Sequence, residues 1–170
     1  MDFLELAKSR YSCRNFSEKK VEKEKIDKII EAARIAPTAV NFQPQKIMLL
    51  QTKEQLSKLK ECTKYGWNAP IIFVICYDKT ISWKRKYDGK DEGIIDASIV
   101  TTHMMLEAQD LGLGSTWIGS FDPEKLRKEY HLPGNLEAVA LLAIGYPAKD
   151  AKPSENHDKR KKQKEIMLLE

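Results

Sequence analysis

The chain has little of what marks several large protein classes. Cys13, Cys62 and Cys76 are too few and too irregularly placed for a disulfide framework, and no CxxC pair suggests a zinc site. Their number points to a reducing, cytoplasmic setting, with Cys76 a buried thiol inside an apolar run. His103, His131 and His157 lie far apart, and no HExxH or Ser/His/Asp signature accompanies them. Metal and nucleophile hypotheses therefore have little support in the sequence. Eight glycines and seven prolines exclude collagen-like and linker-like sequence. Neither GxGxxG nor GxxxxGK[ST] occurs, so the glycine-led phosphate loops of the common nucleotide folds are missing. No apolar run approaches the roughly 20 residues of a membrane span. The start, MDFLELAKSRYS, lacks the basic–apolar–small order of a signal peptide.

What is present suits one folded domain over residues 1–170. The sequence is 42% hydrophobic and 32% charged, a balance that supports a packed core. Net charge is +4, and its location is informative. Residues 152–164 carry six basic groups (Lys152, Lys159, Arg160, Lys161, Lys162, Lys164) against Glu155 and Asp158. Taking 6 from 29 and 2 from 25 leaves 23 of each sign elsewhere. A neutral globule thus carries a basic extension at about 150–170. A solvated terminus, a polyanion contact or a phosphate site would each account for it. A nucleic-acid contact is disfavoured, because the basic residues lack interleaved aromatics.

Periodicity predicts the elements. Residues 2–10 read as a short helix with Phe3, Leu4 and Ala7 on one face. Val21, Ile26, Ile29, Ile30 and Ala33 recur at helical spacing until Pro37 stops the run. A loop over 38–45 leads to a strand at 46–52 and a helix at 53–63. The run PIIFVICYD is continuously apolar and branched, as in an internal strand. Residues 91–111 form the longest helix, with apolar residues around most of its circumference, so burial on more than one side is expected. STWIG follows as a strand. Asp122-Pro123-Glu124 starts a further helix, and 136–146 is another buried strand. The mixed order, without regular β-α alternation, indicates an α+β fold with a central sheet.

Three segments have the chemistry of a binding site. In Ser9–Phe16, Arg10, Ser12 and Arg14 alternate across a non-helical stretch, so in an extended chain they share one side. Two guanidinium forks and a hydroxyl on one face suit a phosphate monoester. A solvated helix C-terminus is the alternative. In Ala36–Gln45, Asn41 and Gln43 offer amides able to read a heterocycle edge, or simply close a turn. In Gly112–Gly119, glycines permit close backbone approach and Trp117 offers a flat surface, or else caps a helix and fills a core.

The order of these blocks resembles the nitroreductase family. The SRxSxRxF opening, the APTAxNxQPQ loop, DASIVTTHMMLEAQDLGLGSTWIG, the AIGYP strand end and the basic terminal segment appear in sequence from about Phe3 to Met167. The resemblance implies a central, mostly antiparallel sheet flanked by helices, in an intertwined homodimer with FMN at the interface. Arg10 would hold the flavin phosphate with Tyr11 and Ser12 beside it, and Arg14 would lie near the N1/O2 edge of the ring. Pro37, Thr38, Ala39, Asn41 and Gln43 would line the flavin from the other subunit. Trp117, Ile118 and Gly119 resemble the strand whose backbone approaches N5. Arg160 and Lys161 match the late basic pair at the phosphate, although Lys162 stands where the family has proline. Residues 91–111 resemble the central dimer helix, with His103 packed or at the interface. Trp67, Trp83 and Tyr87 fall near a segment that often covers the pocket, while Asn68 reads as a cap.

The resemblance further implies ping-pong hydride transfer from NADH or NADPH to nitro compounds, quinones or similar small acceptors. Neither membrane nor nucleic acid is expected as a partner. Dehalogenation, enone reduction and flavin binding without turnover are the alternatives on such scaffolds.

Overall fold

In the computed structural model, which describes residues 2–168, the elements run α1 (Phe3–Ser9), α2 (Lys23–Ile35), a 3-10 turn (Ala39–Asn41), β1 (Gln45–Leu50), α3 (Lys53–Leu59), β2 (Ile71–Asp78), α4 (Gly93–Asp110), β3 (Gly114–Ile118), α5 (Pro123–Glu129), β4 (Leu136–Gly145) and α6 (Gln163–Ile166). Met1, Leu169 and Glu170, at the ends of the expected 1–170 domain, lie outside the described residues.

Local chemistry sets the helix ends. Asp2 caps α1 by accepting from Leu4 N–H, and Arg10 is its C-terminal flank. Thr52 and Gln55 form a capping box on α3, so β1 ends at Leu50, two residues before the expected limit. Asp122 accepts from Glu124 and Lys125 N–H, with Pro123 in the first turn of α5. Pro37 pushes Ala36 to ψ 139°, which ends α2. The helix α2 begins at Lys23, so Val21 precedes it yet is still buried.

The sheet has the order β1-β2-β4-β3, and every strand pair is antiparallel. The central strand β2 is buried from Ile71 to Tyr77, which explains its unbroken apolar run. Register shifts between Ile75 and Cys76 against β4. On one face, Phe73, Ile75, Leu142 and Ile144 pack with Ile29 and Ala33 of α2 and Val100 and Met104 of α4. On the other face, Val74, Leu141 and Ala143 meet Leu59, Leu126, Cys13 and Phe16. Each such fully buried large side chain stabilises the fold by about 1.5–3 kcal/mol. Burial pushes the Cys76 thiol up to about 11.

Apolar surface remains open in the single chain. Within one chain α4 buries one face through Ala97, Val100, Met104 and Ala108, whereas Ile94 and Ile95 remain 49% and 46% exposed. The helix α1 buries no residue, so the apolar face of Phe3 and Leu4 is open. Ile30 and Ile35 of α2 are also exposed. No helix among the described residues is long and apolar enough to cross a membrane.

Candidate functional site

The segment after α1 runs as an additional strand position beside β3. Ser12 bridges Ser115 in parallel, and Cys13 N–H donates to the Ser115 carbonyl at 3.0 Å. Thr116 Oγ1 donates to the Cys13 carbonyl from a buried position. This pairing produces the predicted alternation: Cys13 points into the core while Arg14 is exposed.

Arg10, Tyr11 and Ser12 line a recess of about 200 Å³ together with Ser154, Asn156, His157 and Arg160. The tail is fixed there by a short turn in which His157 N–H donates to the Ser154 carbonyl. Arg160 Nη1 donates to the His157 carbonyl, and the His157 ring meets Tyr11 edge-on, with centroids 6.3 Å apart. Arg10 Nη1 is buried without a hydrogen-bond partner. Burial, and then the charge of Arg160, hold its guanidinium below the ordinary arginine value. Two cations and an unpartnered buried donor around a small recess are the donor set that a phosphate satisfies. Arg160 is thus brought to Arg10 and Ser12. Lys161 is exposed and does not line the recess.

Arg14 follows another path. Its Nη1 donates to the Ser12 carbonyl at 3.4 Å, and its guanidinium stands 5.8 Å from the Trp67 ring centroid. Asn68, expected as a cap, instead sits exposed at φ 57°. Tyr87 is 98% exposed and covers nothing in the chain.

Trp117 is half-buried and Ile118 fully buried in β3, opposite Leu142 and Leu141 of β4. Gly119 follows at the exposed strand end, where a Cβ would meet only Trp117 Nε1, at 3.9 Å. The Arg10–Arg14 segment and the Trp117–Gly119 strand end therefore occupy the same edge of the sheet.

The Pro37–Gln43 loop does not join them. It enters β1 at the far edge and is tied to α4, where Ala39 N–H donates to Asp96 Oδ1 at 2.8 Å. Val40, Asn41 and Gln43 adopt left-handed backbone, with φ of 54°, 55° and 51°. Gln43 N–H donates to Thr38 Oγ1 at 3.0 Å, which closes the loop. Asp96 is 2% exposed and its Oδ2 has no partner; burial pushes its carboxyl above the ordinary aspartate value. From β1 to the Ser12 segment there are four inter-strand steps of about 4.8 Å, roughly 19 Å in all. The Pro37–Gln43 loop and the Arg10–Arg14 segment thus lie at opposite edges of the sheet in one chain.

Sequence reasoning missed Ser154, Asn156, His157 and Asp96. Only the nearness of the first three to Arg160 in sequence could have flagged them.

The chain is similar to several known proteins. Residues 7–68 and 60–146 match the model of the nitroreductase family. A crystal structure of a nitroreductase family protein from Clostridium difficile 630 superposes with TM-score 0.94 at 47% identity, covering 100% of this chain and 99% of the other. An FMN-dependent nitroreductase from Clostridium difficile R20291 superposes with TM-score 0.81 at 29% identity, covering 98% of each chain. A candidate NADH dehydrogenase/NAD(P)H nitroreductase from Archaeoglobus fulgidus is 34% identical over 164 residues, 92% of this chain and 91% of its own. The fold is of the α+β class, an antiparallel sheet flanked by helices. The chain belongs to the nitroreductase family.

Proposed function

We propose that this protein is an FMN-dependent NAD(P)H oxidoreductase that reduces nitro compounds, quinones or similar electron-poor acceptors by a ping-pong cycle. The observation that carries the reading is the recess in which Arg10, with its unpartnered buried Nη1, Ser12 and Arg160 converge. Family membership and the FMN-dependent and NAD(P)H-named relatives support the same reading. Bound FMN supplies a two-electron centre between the nicotinamide donor and the acceptor.

The chain's own groups do the rest. Arg10, Ser12 and Arg160 hold the phosphate, with Tyr11 beside them. Lys161, exposed next to Arg160, adds charge to the approach. Arg14 would place a positive charge beside bound flavin and so favour its reduction. The Trp117–Gly119 strand end would present backbone N–H groups to bound flavin. Pro37, Thr38, Ala39, Asn41 and Gln43 close the site from a second copy of the chain. The opposite-edge arrangement and the exposed Phe3, Leu4, Ile94 and Ile95 support that dimer. The 1–170 chain then acts as one FMN-binding domain in the cytoplasm.

Purified protein should be yellow, and anaerobic NADH or NADPH should bleach it. A colourless protein that cannot be loaded with FMN would overturn the proposal. A yellow protein that neither nicotinamide reduces would instead be a flavin-binding protein without turnover. An anaerobic screen of nitro, quinone and enone acceptors then identifies the oxidising half-reaction.

A further inference from the structure

Between α3 and the loop at 65–70 lies a groove of about 810 Å³, a size that suits a small organic ligand. Its floor is apolar, formed by Leu59 and Ile72, which are 2% and 3% exposed. One wall is aromatic: the Tyr65 and Trp67 rings stand 5.4 Å apart, tilted by 34°. The rim is cationic, with Lys53, Lys60 and Lys64 facing Glu18 as the sole carboxylate among the lining residues. Lys58, on the same helix, is paired with Glu54 at 2.9 Å. Lys53, Lys60 and Lys64 form no ion pair among the described residues; Lys64 Nζ lies 5.4 Å from the Tyr65 ring centroid.

The aromatic wall is held in place. Trp67 and Asn68 both adopt left-handed backbone, at φ 47° and 57°, which is unfavourable for residues with a Cβ. Ala69 N–H donates to the Gly66 carbonyl at 2.9 Å. Thr63 Oγ1 donates to the Ser120 carbonyl at 2.7 Å and accepts from Tyr65 N–H at 3.2 Å. The loop is thereby fastened to the residue after Gly119. On its other side, the Arg14 guanidinium stands over Trp67. Arg14, assigned above to the flavin ring, thus stands beside the groove's aromatic wall, and Thr63 of the lining is bonded to the residue that follows Gly119.

The geometry points to a binding site for a planar aromatic acceptor that carries a negative charge, seated between Trp67 and the lysine rim. This rests on the flavin placement proposed above. An apolar floor and aromatic wall favour a flat ring. Three lysines with one opposing carboxylate favour an acid substituent over a neutral or basic one.

The test is calorimetric titration of FMN-loaded, oxidised protein, without nicotinamide, at low ionic strength. The ligands are 4-nitrobenzoate and the neutral 4-nitrobenzyl alcohol. The anion should bind about fivefold more tightly, the effect of two or three solvent-facing charges. In a K60Q/K64Q variant, or at high salt, the two affinities should converge to within about twofold. Trp67→Leu should weaken both ligands together. Equal binding of the two by the parent protein, or an anion preference that survives K60Q/K64Q, overturns the inference. Binding of NADP+ but not NAD+ in a parallel titration, with no binding of 4-nitrobenzoate, also overturns it and gives the groove to the dinucleotide phosphate. Binding is read without turnover. A protein that prefers 4-nitrobenzoate but is not bleached by nicotinamide overturns the oxidoreductase reading, and with it the acceptor role, while the groove remains a site for an aromatic anion. If FMN does not load, the flavin reading fails, and the same titration on the protein as purified still decides the groove.

Discussion

Gly114 stands directly against Cys13: a Cβ built on the glycine would come within 2.7 Å of Cys13 Cβ and 2.9 Å of its Sγ. That contact lets the Ser12–Cys13 backbone pair with β3 and so aims Arg10 and Ser12 into the recess. Gly114→Ala should force the two strands apart. The expected destabilisation is about 1–3 kcal/mol, as for other overpacked core sites. Chemical denaturation and the flavin content of purified protein should fall together. A variant with unchanged stability and flavin content would show that the close approach does not position the site.

Arg160 supplies the tail's contribution to the recess. A charge-assisted hydrogen bond contributes about 1.5–3 kcal/mol, and the exposure of Arg160 places it at the low end, or about tenfold in affinity. Arg160→Gln should weaken FMN binding by that amount in a flavin-fluorescence titration. Riboflavin, which has no phosphate, should bind parent and variant alike. If the variant loses riboflavin as readily as FMN, Arg160 holds the tail and not the phosphate.

Ile94 and Ile95 present apolar surface on α4 close to Asp96, which anchors the Pro37–Gln43 loop. Ile94→Lys with Ile95→Lys should convert a dimer to monomers in sedimentation velocity. Flavin should be lost in the same step, since each site would then lack its second edge. Monomers that keep their full flavin content would contradict a shared site.

Asp96 gives a pH dependence. Its carboxyl is held above the ordinary aspartate value, chiefly by burial, then by the negative charges of Glu92 and Asp91 against the opposing bond from Ala39 N–H. The folded chain therefore binds this proton more tightly than the unfolded chain. Stability from this group is present at low pH and falls as pH rises through the window above the unfolded value. Asp96→Asn keeps an oxygen for Ala39 N–H and removes the titration. The variant should gain on the parent as pH is raised from about 4 to about 7. A constant difference in unfolding free energy across that range would refute the assignment.

The parts of the fold legible in the sequence were those governed by local rules. The unbroken apolar run of β2, the Asp122-Pro123 start of α5 and the stop at Pro37 all lie where pattern and stereochemistry put them. The alternation of Arg10, Ser12 and Arg14 was legible too, because extended backbone dictates it. What pairs with that segment was not. Ser12 meets Ser115 across more than a hundred residues, and no periodicity encodes such a partner. The tail is similar. Its charge marked Arg160 and Lys161 equally, yet only Arg160 turns into the recess, through its bond to the His157 carbonyl. Left-handed backbone at Val40 and Trp67 was equally hidden, since neither residue type favours it.

The placement of Ser12 and the Pro37–Gln43 loop at opposite edges of the sheet has a consequence for how much of the protein works at a given abundance. A cofactor held by two copies is retained according to mass action. Diluting the protein, or expressing it weakly, would then empty its sites even with ample FMN. Specific activity would rise with protein concentration until assembly saturates, and a concentrated stock would lose flavin on dilution at the rate the two copies part.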